Sequence, residues 1–278
     1  MPGSERIYGH NIPHHALEQC LEAHKAAIPR ALEINIPFSK QPDDIFPSNR
    51  VSSILELREQ TGTQLSFHVP FKVNITEKIP RFRKLNAKYL LSCIEVGAEL
   101  GARTVTVHLG TFYWFPVEQQ TRKKALDRFV QHIDPILDAC ERRGLDLALE
   151  NVVRLPKWSE YYHLGDSPQD FAEIFKRIDS PRLGFCLDTG HANIGGHVGD
   201  FIQALGGHLT NMHIHDNLGD DDNHLMVGEG SIDWPDVTGR LKALGYNGPF
   251  ISECRHRDPE ECFARLERYF YNASPVNS

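Results

Sequence analysis

Apolar positions along the chain fall into two alternating kinds of segment. Short runs rich in β-branched and aromatic residues occur at RIYGHNI (6–12), ALEINI (31–36), QLSFHV (64–69), RTVTVHL (103–109), DLALEN (146–151), RLGFCLD (182–188), LTNMHIH (209–215) and PFISEC (249–254), and these read as strands. Between them apolar residues recur at helical spacing, most clearly over 83–100, 118–143, 168–178 and 234–244, with Gly101, Gly144, Pro181 and Gly245 as stop signals. Strand and helix alternate eight times without a Ser-, Gly- or Pro-rich linker. The pattern therefore predicts an α/β fold, a single (β/α)8 TIM barrel over residues 1–278, with about 273–278 as a flexible tail. A doubly wound sheet that binds nucleotides would want a Gly-rich turn after its first strand. PHHALEQC follows Ile12 instead, and Gly195, Gly196 and Gly199 spell neither GxGxxG nor a P-loop.

Composition narrows the classes of function. With 40% hydrophobic and 24% charged residues the chain is neither disordered nor fibrous. No apolar run reaches the length of a membrane span, and MPGSERIYGH lacks the basic and apolar regions of a signal peptide, so a cytoplasmic location with no membrane partner is expected. Six cysteines without a CxxC read as reduced thiols rather than a disulfide or zinc scaffold. A net charge of −7 gives no basic footprint for nucleic acid. Histidine, at 15 residues, is the unusual count, and its positions matter because His is the commonest ligand and proton carrier at neutral pH.

In a barrel the active site lies at the C-terminal ends of the strands. There the third strand presents His68, the fourth His108, the fifth Glu150, the sixth Asp188, the seventh His213 and His215, and the eighth Glu253. Asp, Glu and His are fewer than one residue in five, so six successive strand ends carrying them are not scattered surface charge. The mixture of imidazole and carboxylate suits Zn²⁺ or Mn²⁺. The loops add His191, three residues after Asp188 in DTGHAN, and the run Asp220, Asp221, Asp222 followed by His224. His14, His15, His24, His132, His163, His197 and His208 fall in helices or loops and read as bystanders, while His10 stands near the end of the first strand. Lys72 and Arg255, with His256 and Arg257, lie near the mouth and could hold a phosphate or carboxylate. Phe71, Phe112, Trp114, Phe115 and Trp158 follow strand ends and could wall a sugar-sized pocket.

The ordered set HVPFKVN, VHLG, ALEN, CLDTGHAN, HIHDN, DNHLMVGEGSIDW and ISE resembles the xylose-isomerase-like TIM-barrel superfamily, which holds sugar and sugar-phosphate isomerases and epimerases together with apurinic/apyrimidinic endonucleases of the endonuclease IV type. The mononuclear epimerases imply Glu150, Asp188, His213 and Glu253 as ligands of one ion. The endonucleases imply a three-zinc cluster on His68, His108 and Glu150, then Asp188, His213 and Glu253, and finally His191, Asp222 and His224. All nine positions match in residue type. Against the nuclease, Asn223 stands where those enzymes carry Arg, SIDW follows GEG, and the loop PFSKQPDDIFPSNR offers only Lys40 and Arg50 beside Asp43 and Asp44.

The resemblance thus implies a divalent-metal-dependent sugar or sugar-phosphate isomerase or epimerase, with Glu150 and Glu253 as proton-transfer residues and one to three Zn, Mn or Co ions. Arg255, Lys72 and Trp114 are the candidate substrate contacts. The expected partner is a small sugar or sugar phosphate, and nucleic acid enters only under the alternative, a three-zinc phosphodiester hydrolase. Barrels of this kind often associate, so a homo-oligomer is compatible with the sequence without being fixed by it.

Overall fold

The strands of the computed structural model, which describes residues 6–24, 30–113, 119–255 and 258–273, are in chain order β1 (Tyr8–Pro13), β2 (Ala31–Asn35), β3 (Gln64–His68), β4 (Thr104–His108), β5 (Gly110–Tyr113), β6 (Asp146–Glu150), β7 (Tyr161–Leu164), β8 (Leu183–Asp188), β9 (Leu209–Ile214) and β10 (Phe250–Ser252). Eight of them close a parallel barrel in the order β1-β10-β9-β8-β6-β4-β3-β2. These eight are the runs expected from the apolar pattern, each boundary within two residues. β5 and β7 were not expected. They pair antiparallel across the barrel mouth, with Thr111 opposite His163.

Helices fill the outer ring. Proline opens the one over Pro80–Glu99, where its missing N–H costs nothing, so that helix starts three residues before the apolar pattern does. The expected segment 118–143 is two helices, Gln119–His132 and Asp134–Arg143. Pro135 divides them, because it cannot donate to the preceding turn and its ring crowds that turn's carbonyl. Gly144 and Gly245 end their helices at φ 71° and φ 66°, a left-handed conformation that glycine adopts without penalty.

Side chains alternate along each strand, and the alternation divides the protein. Outward residues such as Phe67, Val105 and Phe185 join the helices in the apolar core, each burial worth roughly 1.5–3 kcal/mol. The barrel's interior instead carries the buried polar groups Glu33, Ser66, Thr106 and Asn211, which hydrogen-bond to one another across β2, β3, β4 and β9. None of the described helices is long and apolar enough to cross a membrane.

Candidate metal centre and active site

Glu150, at the end of β6, is the hub. Its Oε2 lies 2.9 Å from Nε2 of both His68 and His108, and its Oε1 lies 2.9 Å from Nδ1 of His213. His213 Nδ1 is also 3.9 Å from Asp188 Oδ2 and 3.6 Å from Glu253 Oε1. Three carboxylates from three other strand ends therefore lie within 3.9 Å of one ring nitrogen of His213, and one of them, Glu150, also meets His68 and His108 in a second group. A third group meets at Asp222, whose Oδ2 is 3.0 Å from His224 Nε2 and 3.7 Å from His191 Nε2.

The rings are held in defined tautomers. A backbone carbonyl can only accept, so the ring nitrogen facing one must carry the proton. His68 Nδ1 donates to Val69 O at 3.0 Å, His191 Nδ1 to Asn151 O at 2.9 Å, and His224 Nδ1 to Glu253 O at 2.8 Å. In each ring the other nitrogen, Nε2, is left aimed into the site. This is how a protein prepares a histidine to ligate a cation. His224 reaches its place through a left-handed backbone, φ 50°, the one positive-φ residue other than glycine among the described residues.

Backbone hydrogen bonds explain the short motifs. In ALEN, Asn151 ties β6 to β8 by donating to Asp188 O at 2.9 Å and accepting from Asp188 N at 2.8 Å. In the GEGSIDW loop the buried Asp216 carboxylate accepts from Gly228 N, Ile232 N and the Trp234 indole at 3.0, 3.3 and 2.8 Å. In DTGH, Gly190 is needed because a Cβ would stand 1.9 Å from His215 Cε1. Gly190→Ala is accordingly expected to push His215 off Asp188 and to destabilise the fold by about 1–3 kcal/mol through overpacking. A thermal melt read beside bound-metal content checks this, and an unchanged melt with full metal content would show that the contact is dispensable.

Electrostatics fit a cation. Burial would raise the carboxyls of Glu150 and Asp188, but the histidines beside them override it, holding Glu150 well below the usual range and Asp188 at about 2. Against the same desolvation, Asp188, Asp222 and Glu150 push His191 up to about 10, and Glu150 and Glu33 push His68 up to about 9. Burial wins at His108, which is lowered. Imidazolium protons and a divalent ion are interchangeable counter-charges for these carboxylates, so loading would release protons. Asp222 Oδ1 is buried with no hydrogen-bond partner, an acceptor that a cation would satisfy. Trios of donor atoms within 4.8 Å of one another recur here, among them His68, His108 and Glu150, and Glu150, Asp188 and His213. The residues present fit divalent metal.

A cavity of about 670 Å³ opens over these groups, lined by His68, His108, Glu150, His191, Asp222, His224, Glu253 and Arg255. Its volume suits a small ligand. Arg255 is exposed at its rim. Lys72 is not in this cavity; it borders an adjoining groove of about 610 Å³ with Phe38, Phe71, Phe82 and Tyr161. Trp114, Phe115, His256, Arg257 and positions 274–278 of the expected tail lie outside the described residues. His163, read from sequence as a bystander, lines the cavity and makes a T-shaped contact with Phe71, with ring centroids 5.0 Å apart.

Two residues at the site, Glu33 and Asn11, escaped the sequence reading, and a third, His215, was read at its strand end without a role. Glu33 sits inside the barrel with its Oε2 2.7 Å from His213 Nε2. His215, read with His213 at the end of the seventh strand, places Nε2 3.0 Å from Asp188 Oδ1. Asn11, from β1, donates to Glu253 Oε1 at 3.2 Å. The signals were a charge inside the apolar run ALEINI and the i, i+2 spacing of HIH, which puts both rings on one face of a strand.

Comparison with known proteins follows the same lines. The sequence profile of the xylose isomerase-like TIM barrel family matches residues 30–271. An uncharacterised protein of Methanocaldococcus jannaschii is 34% identical over 230 residues, covering 81% of this chain and 76% of its own. A probable endonuclease 4 of Mycobacterium leprae is 24% identical over 219 residues, 76% of this chain and 81% of its own. A solved D-tagatose 3-epimerase-like protein superposes with a TM-score of 0.81 at 28% identity, over 95% of this chain and 97% of that one.

Proposed function

Because the chain belongs to the xylose isomerase-like TIM-barrel family, we propose that it is a divalent-metal-dependent sugar or sugar-phosphate epimerase or isomerase that moves a proton next to a carbonyl. The observation that carries this reading is a small cavity floored by convergent His, Asp and Glu donors, with Glu253 at its edge, in a chain that matches a D-tagatose 3-epimerase-like protein along nearly its whole length. Glu150, Asp188, His213 and Glu253 would hold the principal ion. When bound, such an ion supplies Lewis acidity toward the carbonyl and hydroxyl oxygens of a sugar.

The chain's own residues do the rest. Glu253 has room to meet substrate, its side chain 15% exposed against 1% for Glu150. It takes or returns a proton at its free carboxylate oxygen while Asn11 steadies the other. Glu150, with both oxygens engaged, is the second proton-transfer carboxylate and also keeps the ring nitrogens of three histidines in place. Phe71, its ring 4.7 Å from that of His108, forms an apolar wall suited to a sugar's C–H face. Arg255 at the rim is the cation available for a phosphate or carboxylate on the substrate.

One observation favours a second reading. The placing of Glu150 between two donor groups, with a third at Asp222, suits two or three ions and hence a phosphodiester hydrolase of the endonuclease IV type. The loop expected to press on DNA speaks against it. Arg50 is spent inside the protein, its guanidinium on Glu18 at 2.6 and 2.8 Å and on the carbonyls of Ile45 and His14.

The test is deuterium uptake from solvent into a panel of ketoses and ketose phosphates with Mn²⁺, Co²⁺ or Zn²⁺, run beside nicking of a duplex holding an abasic site. Exchange at the carbon next to the carbonyl, without nicking, is the expected result. Metal-dependent nicking at low protein concentration, with no exchange on any sugar, would install the hydrolase.

A further inference from the structure

Three histidines of the site are pinned through one ring nitrogen and present the other, and a fourth is placed differently. His68, His191 and His224 are held by backbone carbonyls through Nδ1. His213 is reversed. Its Nδ1 faces the shared donors, and its Nε2 points down the barrel to Glu33 Oε2 at 2.7 Å. No carbonyl is involved; the nearest acceptor is an oxygen of a fully buried carboxylate, and because neither it nor Nε2 has an aligned hydrogen-bond partner the pair is a close ionic contact.

Glu33 is itself oriented. Ser66 and Thr106 donate hydroxyl protons to its Oε1 at 3.2 and 3.0 Å, and Asn211 Nδ2 supports the Thr106 hydroxyl at 3.3 Å. With its donors gathered on one oxygen, the other has no hydrogen-bond partner of its own and lies 2.7 Å from His213 Nε2. We propose that Glu33 is a positioning residue: from inside the barrel it holds His213 in the tautomer that carries its proton on Nε2, and so keeps the Nδ1 lone pair available to a divalent ion. The inference rests on the metal-dependent reading above and adds to it a residue that the strand-end pattern does not contain.

The arrangement predicts what a nearly isosteric change does. In Glu33→Gln the amide oxygen takes the Oε1 place, because Ser66 and Thr106 donate there. The NH2 group then faces His213 Nε2 and donates to it, which moves the ring proton to Nδ1 and blocks the ligand position. Loss of a partner of this kind weakens metal binding by about 10- to 100-fold.

The experiment titrates full-length wild-type and Glu33→Gln protein with Zn²⁺ against a competing chelator, and records long-range ¹H–¹⁵N correlations of His213 in the zinc-loaded proteins. Expected are a 10- to 100-fold loss of affinity for one ion in the variant, an unchanged far-UV circular dichroism spectrum, and a wild-type His213 protonated on Nε2. Equal affinity in the two proteins would overturn the proposal. So would a wild-type His213 whose Nε2 is itself bound to zinc, as an ion held by Glu33, His68 and His213 would require. If the variant does not fold, the wild-type spectrum alone decides. If wild-type protein binds no divalent ion, the metal-dependent reading fails, and the protonation of His213 Nε2 at alkaline pH still decides whether Glu33 sets the tautomer.

Discussion

Glu253→Gln is expected to slow solvent exchange at the carbon next to the substrate carbonyl by about 10²- to 10⁴-fold, the usual contribution of a positioned acid or base. The amide keeps an oxygen that could still approach the ion, and by rotating it can keep a partner for Asn11, so bound metal should fall far less than activity does. Glu150→Gln behaves differently. That side chain is buried, and an amide has one acceptor oxygen where His68 and His108 need one side of the group and His213 the other. Its expected outcome is loss of metal and activity together. Metal analysis of both purified variants beside the exchange rate separates the two cases. A Glu253→Gln protein that exchanges within tenfold of wild type would remove Glu253 from the proton path.

Asp216→Ala should be the most damaging change remote from the cavity. The Asp216 carboxylate is fully buried and accepts from two backbone amides of the loop that follows it, those of Gly228 and Ile232, and from the Trp234 indole. Each buried donor left without an acceptor costs about 1–3 kcal/mol. Partial opening of the loop would relieve some of that, so a loss of about 3–5 kcal/mol is expected, comparable to breaking a buried charge pair. At roughly 2–4 °C per kcal/mol for a chain of this size, the melting temperature should fall by about 6–20 °C. Asp216→Asn, which retains one acceptor oxygen, should lie between. The loop carries Asp222 and His224, so binding at that donor group should weaken in step with the melt. A melting temperature unchanged in Asp216→Ala would mean that the loop is held by its apolar contacts instead.

The barrel and its functional rim were legible in the chain because both depend on short periods. Runs of five or six residues ending in His68, His108, Glu150 and Asp188 announce a strand and, at its C-terminal end, a side chain for the mouth. Closing eight such strands brings those ends together, whatever the residues between them. The pair β5 and β7 was hidden because Gly110–Tyr113 follows β4 after a single residue and finds its partner at Tyr161–Leu164, so nothing local distinguishes it from the end of a strand or the start of a loop.

What tertiary structure alone decided is how the polar groups are partnered. Glu33 reads as one charge in an apolar strand, and its meaning depends on Thr106, 73 residues away, and on His213 across the barrel. Arg50 looks in sequence like a free cation for a phosphate, yet it is bound to Glu18. Lys72, near the mouth by position, borders the neighbouring groove. The physical reason is one of range. Backbone periodicity and capping act over a few residues and leave a record in the order of the chain, whereas a buried charge must be satisfied by whatever the closed barrel places beside it, and that depends on the register of strands far apart in sequence.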